Sequence, residues 1–260
     1  MNHWCKLSID YANQRSYLDD LFQVYPTIPD GIRDINEKIW ADVEKAFNRK
    51  NNDALIRELF RLDLFPIKDS YIAYLKRDNS AIDRNPRTIN RICGRLYEMG
   101  LDKIFERCSE PKETNRQIGP MFREWLRKKS LGIAPVDLAQ FIEGNSDAVL
   151  DPSDNAMMDF AKNNLGYNHD KKPDFIARFN GKYIIGEAKF LTDFGGHQNA
   201  QFNDAIKTIE SKGVNAIKIA ILDGVIYIKG NNKMYKSVTQ TYEDYNIMSA
   251  LVLCEFLYHL

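Results

Sequence analysis

Apolar residues recur at helical spacing through the first half of the chain and switch toward a period of two between residues 174 and 190. Residues 31–50 place Ile32, Ile35, Ile39, Trp40, Val43 and Phe47 three and four apart, the spacing that lines one side of an α-helix. Asp30 stands where an N-cap is needed. Shorter helices are predicted over 53–62 and 69–77, separated by Pro66. The stretch 86–99 (PRTINRICGRLYEM) opens with proline in its first turn and stops before Gly100, the asymmetry expected at helix ends. Its Ile89, Ile92, Leu96 and Met99 form one side, and Arg87, Thr88, Asn90, Arg91 and Arg95 the other. Residues 116–129 form a further helix with Met121, Phe122, Trp125 and Leu126 on its apolar side. Residues 153–166 form another, capped by Ser153 and closed by Gly166. The final stretch, 242–260, is so uniformly apolar that a helix there belongs in a core or a subunit interface.

The alternating segment reads KKPDFIARFNGKYIIGEAKF over residues 171–190. Two short strands flank Asn180-Gly181, a dipeptide that favours the tight turn of an antiparallel hairpin. Glu187 and Lys189 are two apart on the second strand, so they share a face, about 6.6 Å apart along the chain at about 3.3 Å per residue. Ala188 points to the other face. Asp174, at the head of the first strand, is carried by the turn to a position near Glu187. A Gly-Gly turn at 195–196 releases the second strand into a helix bearing His197, Gln198, Gln201 and Asp204, with Gln198 and Gln201 three apart on one helical face. Residues 216–230 then predict two more strands meeting in a second hairpin at Asp223-Gly224.

Two carboxylates and one ammonium on neighbouring strands suit a definite chemistry. Hydrolysis of a phosphodiester brings an anionic nucleophile to an anionic phosphorus, so a hard cation is needed to neutralise charge and acidify a water. Mg²⁺ is held by one or two carboxylates together with phosphate oxygens. Lys189 would orient or deprotonate the attacking water, or hold the scissile phosphate. Charged residues at strand ends are common in any protein, but burying carboxylates among Phe175, Ile176, Tyr183, Ile184 and Ile185 carries a cost that a metal or partner must offset.

Pro173-Asp174, followed after twelve residues by Glu187-Ala188-Lys189, resembles the signature of the PD-(D/E)xK nuclease superfamily, and the surrounding segments resemble its type II restriction endonucleases. The resemblance implies an α/β fold, a restriction-endonuclease-like mixed β-sheet core flanked by helices. It also implies Mg²⁺ at Asp174 and Glu187, with Asp174, Glu187 and Lys189 catalytic, and a helix beside the phosphates in which Gln198 and Gln201 contact water or DNA. A further acid from a helix ahead of the first catalytic strand often joins such a site. Glu124, Asp154 and Asp159 are the candidates, and Asp154 is the most readily explained as stabilising a helix dipole. The partners implied are double-stranded DNA, a second copy of the chain forming a homodimer on a palindromic site, and a cognate methyltransferase. Two other readings remain: a repair or junction nuclease of the same superfamily that recognises DNA structure, and a catalytically inactive DNA-binding regulator.

Charge changes this picture only locally. The 36 basic residues balance 36 acidic ones, so no global excess marks a nucleic-acid binder. Residues 71–130, however, hold 14 basic and 8 acidic residues, and residues 131–170 hold 1 basic and 7 acidic; a basic segment of that kind supplies phosphate contacts. The expected organisation is therefore a helical, DNA-contacting region over 1–115 and a catalytic core over 116–260. Within the first, the helix at 86–99 is either the recognition helix of a helix-turn-helix, with Arg87, Asn90, Arg91 and Arg95 facing DNA, or a solvated amphipathic helix. The scattered Cys5, Cys93, Cys108 and Cys254 contain no C-x-x-C pair. Without a membrane-length apolar run or a signal-peptide core, the chain is expected to be soluble and cytoplasmic.

Overall fold

The computed structural model describes residues 1–26, 33–110, 114–151 and 156–260, with the side chains of 114–117 excluded. In chain order the helices α1 (His3–Ala12) and α2 (Tyr17–Val24) come first. They are followed by α3 (Glu37–Asn48), α4 (Asn52–Phe60), α5 (Ile72–Arg77), α6 (Ser80–Arg84), α7 (Pro86–Met99) and α8 (Leu101–Cys108). The remainder alternates: α9 (Thr114–Arg127), β1 (Pro135–Val136), α10 (Leu138–Glu143), β2 (Ala148–Leu150), α11 (Met157–Leu165), β3 (Phe175–Phe179) and β4 (Lys182–Leu191). Then come α12 (Gly196–Glu210), β5 (Ile217–Gly224), α13 (Lys233–Lys236), β6 (Ile247–Met248) and α14 (Ala250–Tyr258). The chain divides into two compact units, one of Met1–Thr27 with Thr114–Leu260 and one of Ile28–Glu113. The region of separate helices is thus shorter than 1–115. Helix α1 packs against β6 and α14, and α2 against α9 and α14, so both belong with the sheet.

Among the described residues of the larger unit, six strands form one mixed sheet in the order β1-β2-β3-β4-β5-β6. Strands β2, β3 and β4 run antiparallel to one another in turn, whereas β4, β5 and β6 are parallel. The β3–β4 hairpin forms as its pattern predicts. Asn180 (φ 48°) and Gly181 (φ 72°) both take positive φ, the requirement of the type I′ turn that matches strand twist, and Phe175 pairs with Gly186. Phe175, Ala177, Phe179 and Ile184 lie in one apolar cluster with Phe122 of α9 and Phe256 of α14. The alternate residues Ile176 and Ile185 join Phe160 and Leu165 of α11 on the other side.

The second hairpin does not form. Strand β5 pairs with β4 on one side and β6 on the other, both in parallel, and a short 3₁₀ turn, Val225–Tyr227, follows it. Asp223 is fully buried. Its carboxylate accepts from the Ser249 hydroxyl, from the Ala250 backbone N–H at 3.2 Å and from the Tyr25 hydroxyl at 3.0 Å. It serves the start of α14 and a distant tyrosine instead of a local turn. Gly224 (φ +93°) lies so close to Leu191 that an added Cβ would meet its carbonyl oxygen. The expected terminal helix is correspondingly shorter: residues 247–248 are strand, Ser249 caps, and only Ala250–Tyr258 is helical.

In the helical unit α7 spans the expected residues, and α3 starts later than expected. The Asn36 side chain accepts from the N–H groups of Lys38 and Ile39, and Asp30 and Ser153, the expected caps, lie outside the described residues. Helix α7 packs on α4 and α8. Only Asn85 separates it from the five-residue α6, which leaves no room for the three- to four-residue turn of a helix-turn-helix. The motif's turn is thus not formed between α6 and α7, and α7 belongs to a helical cluster closed around Leu55, Leu59, Ile92 and Leu96. No helix among the described residues is long and apolar enough to cross a membrane.

Candidate active site

The hairpin brings three charged side chains together. The Asp174 N–H donates to the Gly186 carbonyl at 3.1 Å, continuing the β3–β4 register and setting Asp174 beside Glu187. Lys189 Nζ lies 3.0 Å from Asp174 Oδ2 and 2.5 Å from Glu187 Oε1. The ammonium gives its third hydrogen bond to the Ala188 carbonyl at 3.1 Å, so all three of its donors are used. Asp174 Oδ2 also accepts from the Ala188 N–H at 3.1 Å. Only 7% of the Glu187 side chain is exposed, and its Oε2 is buried with no hydrogen-bond partner among the described residues.

Burial shapes the protonation of this cluster. Desolvation and the charge of Asp174 push the Glu187 carboxyl up to about 7, although Lys189 pulls it back. For Lys189, burial alone would favour the neutral amine, but Asp174 and Glu187 together outweigh it and raise its pKa. The triad therefore has one fixed cation and one carboxyl that titrates near neutrality. Asp174 and Lys189, but not the buried Glu187, line a cleft of about 330 Å³, walled also by Ile118 and Gly119 of α9, by Phe190, and by His197, Gln201 and Asp204 of α12. Lys171 at the rim pairs with Asp204, whose carboxyl is held low by that hydrogen bond. Behind Phe190 lies Tyr25, its ring stacked at 5.0 Å between centroids and its hydroxyl on Asp223.

An aspartate and a glutamate with one lysine, brought together by the hairpin beside a helix, could hold a hard cation. The model of the Tsp45I type II restriction enzyme family matches residues 2–260. The chain belongs to the Tsp45I type II restriction enzyme family. Family membership makes it a nuclease, a hydrolase acting on DNA. No curated protein and no solved structure matches it.

As in any Tsp45I-family chain, the remaining residues must be judged by where they stand. Gln201 and His197 line the cleft. Gln198 does not. It is buried, its Nε2 donating to Thr192 Oγ1 at 3.1 Å and its Oε1 accepting from the Thr192 N–H at 3.3 Å, so its amide ties α12 to the end of β4. Of the upstream acids, Glu124 is exposed and 3.8 Å from Arg127, Asp159 is exposed on α11, and Asp154 lies outside the described residues. Neither Glu124 nor Asp159 borders the cleft. Among the described residues no three acidic, histidine or cysteine side chains gather closely enough to share an ion. Sequence reasoning missed Lys171, which directly precedes the Lys172-Pro173-Asp174 run. Asp204, noted only as part of its helix, is the further acid that the cleft contains. The donor set suits a hard cation: two carboxylates, one carrying a buried oxygen without a partner, and oxygen ligands throughout. Arg87, Asn90, Arg91 and Arg95 are all exposed on α7 in the helical unit.

Proposed function

We propose that the chain is a Mg²⁺-dependent, sequence-specific endonuclease of double-stranded DNA with a PD-(D/E)xK core, acting as a homodimer and protected in its host by a cognate methyltransferase. The observation that carries this reading is the convergence of Asp174, Glu187 and Lys189 beside a cleft that Asp174 and Lys189 line, with Glu187 Oε2 buried and unpartnered among the described residues, in a chain of a type II restriction enzyme family. Asp174 and Glu187 would hold the cation, which when bound supplies charge neutralisation at the phosphate and a more acidic water.

The chain's own groups do the rest. Lys189 spends all its hydrogen bonds on Asp174, Glu187 and Ala188 in the free protein. To engage a phosphate or the attacking water it must exchange one of them, and losing a carboxylate partner to the cation frees that donor. Burial and the charge of Asp174 raise the Glu187 pKa to about 7, and a cation held there would favour its ionised, ligating form. Gln201 and His197 on the opposite wall provide polar groups for the flanking phosphates, and Phe190 and Ile118 limit access of bulk water. A two-fold pair of chains would present one such site to each strand of a palindromic sequence.

The test is a long linear DNA of known sequence incubated with the purified protein in Mg²⁺ or in EDTA. Discrete bands in Mg²⁺ alone are expected. A smear, or cutting confined to branched DNA, would replace sequence recognition by non-specific or structure-directed cleavage. Light scattering giving one chain per particle with and without DNA would contradict the dimer.

A further inference from the structure

Helix α7 contains a glycine that no contact among the described residues requires. Gly94 sits mid-helix in Pro86–Met99, is exposed, and has a φ outside the left-handed region. A Cβ built on it would meet nothing within 4 Å. Glycine is the poorest helix former after proline because its backbone loses the most freedom on folding. An exposed glycine with room for a side chain therefore weakens the helix for no gain inside the molecule. One use of such a residue is to let another molecule come close to the backbone there.

The surroundings of Gly94 say what that is. The exposed face of α7 carries Arg87, Asn90, Arg91 and Arg95 around it, with Glu98 the one acid among the exposed residues of the helix. Two of these side chains are buttressed from behind. Asn90 Oδ1 accepts from Asn52 Nδ2 at 2.7 Å, and Asn52 is itself held by the Tyr97 hydroxyl at 2.8 Å. Arg91 is paired with Asp69 at 2.6 Å and lies over the Tyr71 ring at 5.8 Å. Arg87 and Arg95 have no ion pair among the described residues. Holding an exposed amide and guanidinium in place costs side-chain entropy that a merely solvated helix has no reason to give up; preorganised groups of this kind suit recognition.

We propose that this face of α7 lies in the major groove of double-stranded DNA, with Gly94 the point of closest backbone approach, Asn90 and Arg91 reading base edges, and Arg87 and Arg95 contacting phosphates. The inference rests on the reading of the substrate as DNA. Asn can bond adenine and Arg guanine bidentately, and the fixed orientations supplied by Asn52 and Asp69 make those two residues positioning groups for specificity.

The experiment uses the full chain and the site mapped by wild-type cutting. Gly94→Ala should raise the melting temperature of the helical unit by about 4 °C while cutting the mapped site at least about tenfold more slowly, and Gly94→Gln should cut more slowly still. Asn52→Ala should leave folding intact and lower the ratio of cutting at the mapped site to cutting at a site altered by one base, by about tenfold. Wild-type rates for both Gly94 variants would overturn the proposal. So would a Gly94→Ala protein that melts lower than wild type, because glycine would then be a demand of the fold. If wild-type protein cuts no DNA, the reading of the substrate fails first and this inference falls with it.

Discussion

Replacing Lys189 with methionine keeps the apolar stem and removes the one cation between two carboxylates. In the folded protein Nζ is 3.0 Å from Asp174 and 2.5 Å from Glu187. Breaking a buried ion pair by removing one partner costs about 3–5 kcal/mol; 27% of the Asp174 side chain remains exposed, so the lower end, about 3 kcal/mol, is appropriate. At about 2–4 °C per kcal/mol for a unit of this size, metal-free Lys189→Met should melt about 6–12 °C below wild type at pH 8. The cost should depend on pH. Glu187 has its pKa raised in the fold from 4.5 to about 7, so the folded state binds its proton more tightly than the unfolded chain. Its contribution is therefore fullest at low pH and is lost as pH rises through about 7. At pH 5.5 Glu187 is protonated, the two carboxyls no longer repel, and the penalty should shrink to about 1 kcal/mol. Thermal unfolding of both proteins in EDTA at the two pH values measures this. Mg²⁺ at pH 8 should restore more stability to the variant than to wild type, because no ammonium competes for the carboxylates. A variant that melts with wild type at pH 8, or a difference equal at both pH values, would refute the reasoning.

Two further substitutions test the support of the site. Tyr25→Phe removes the hydroxyl that donates to buried Asp223 at 3.0 Å while keeping the ring against Phe190. It should cost about 1.5–3 kcal/mol in urea unfolding, and an unchanged midpoint would show that this hydrogen bond contributes nothing. Gly224→Ala forces a side chain against the Leu191 carbonyl at positive φ, at the last pair of the β4–β5 register. Little folded protein should be recovered on expression, and a well-folded variant would mean that β4 and β5 can separate at that point.

The β3–β4 hairpin was legible in the sequence because what determines it is local. Short apolar runs mark both strands although β3 is buried on both faces, Asn180-Gly181 fixes the turn, and the placing of Asp174, Glu187 and Lys189 follows from both. Helix α7 was legible for the same reason, with proline and glycine at its two ends. The second hairpin was misread because Asp223-Gly224 carries the same local signal, while the decisive partners, Ser249, Ala250 and Tyr25, are distant in sequence. Gln198 illustrates a different limit: three-residue spacing places it on a face with Gln201, but the docking of α12 decides that it bonds Thr192 while Gln201 reaches the cleft. The packing of α1 and α2 with the sheet was equally invisible, since it depends on contacts such as the Ser249 N–H to Ser8 Oγ at 2.9 Å between opposite ends of the chain. Short β2, three buried residues with no room for alternation to show, escaped notice altogether.

The most direct test of the account is cleavage of linear DNA in Mg²⁺ by Asp174→Asn and Glu187→Gln proteins beside wild type, with DNA binding followed on the same preparations. Discrete bands from wild type, none from either variant, and binding retained by both are the predicted result. Cutting at the wild-type rate by either variant would place the active site elsewhere.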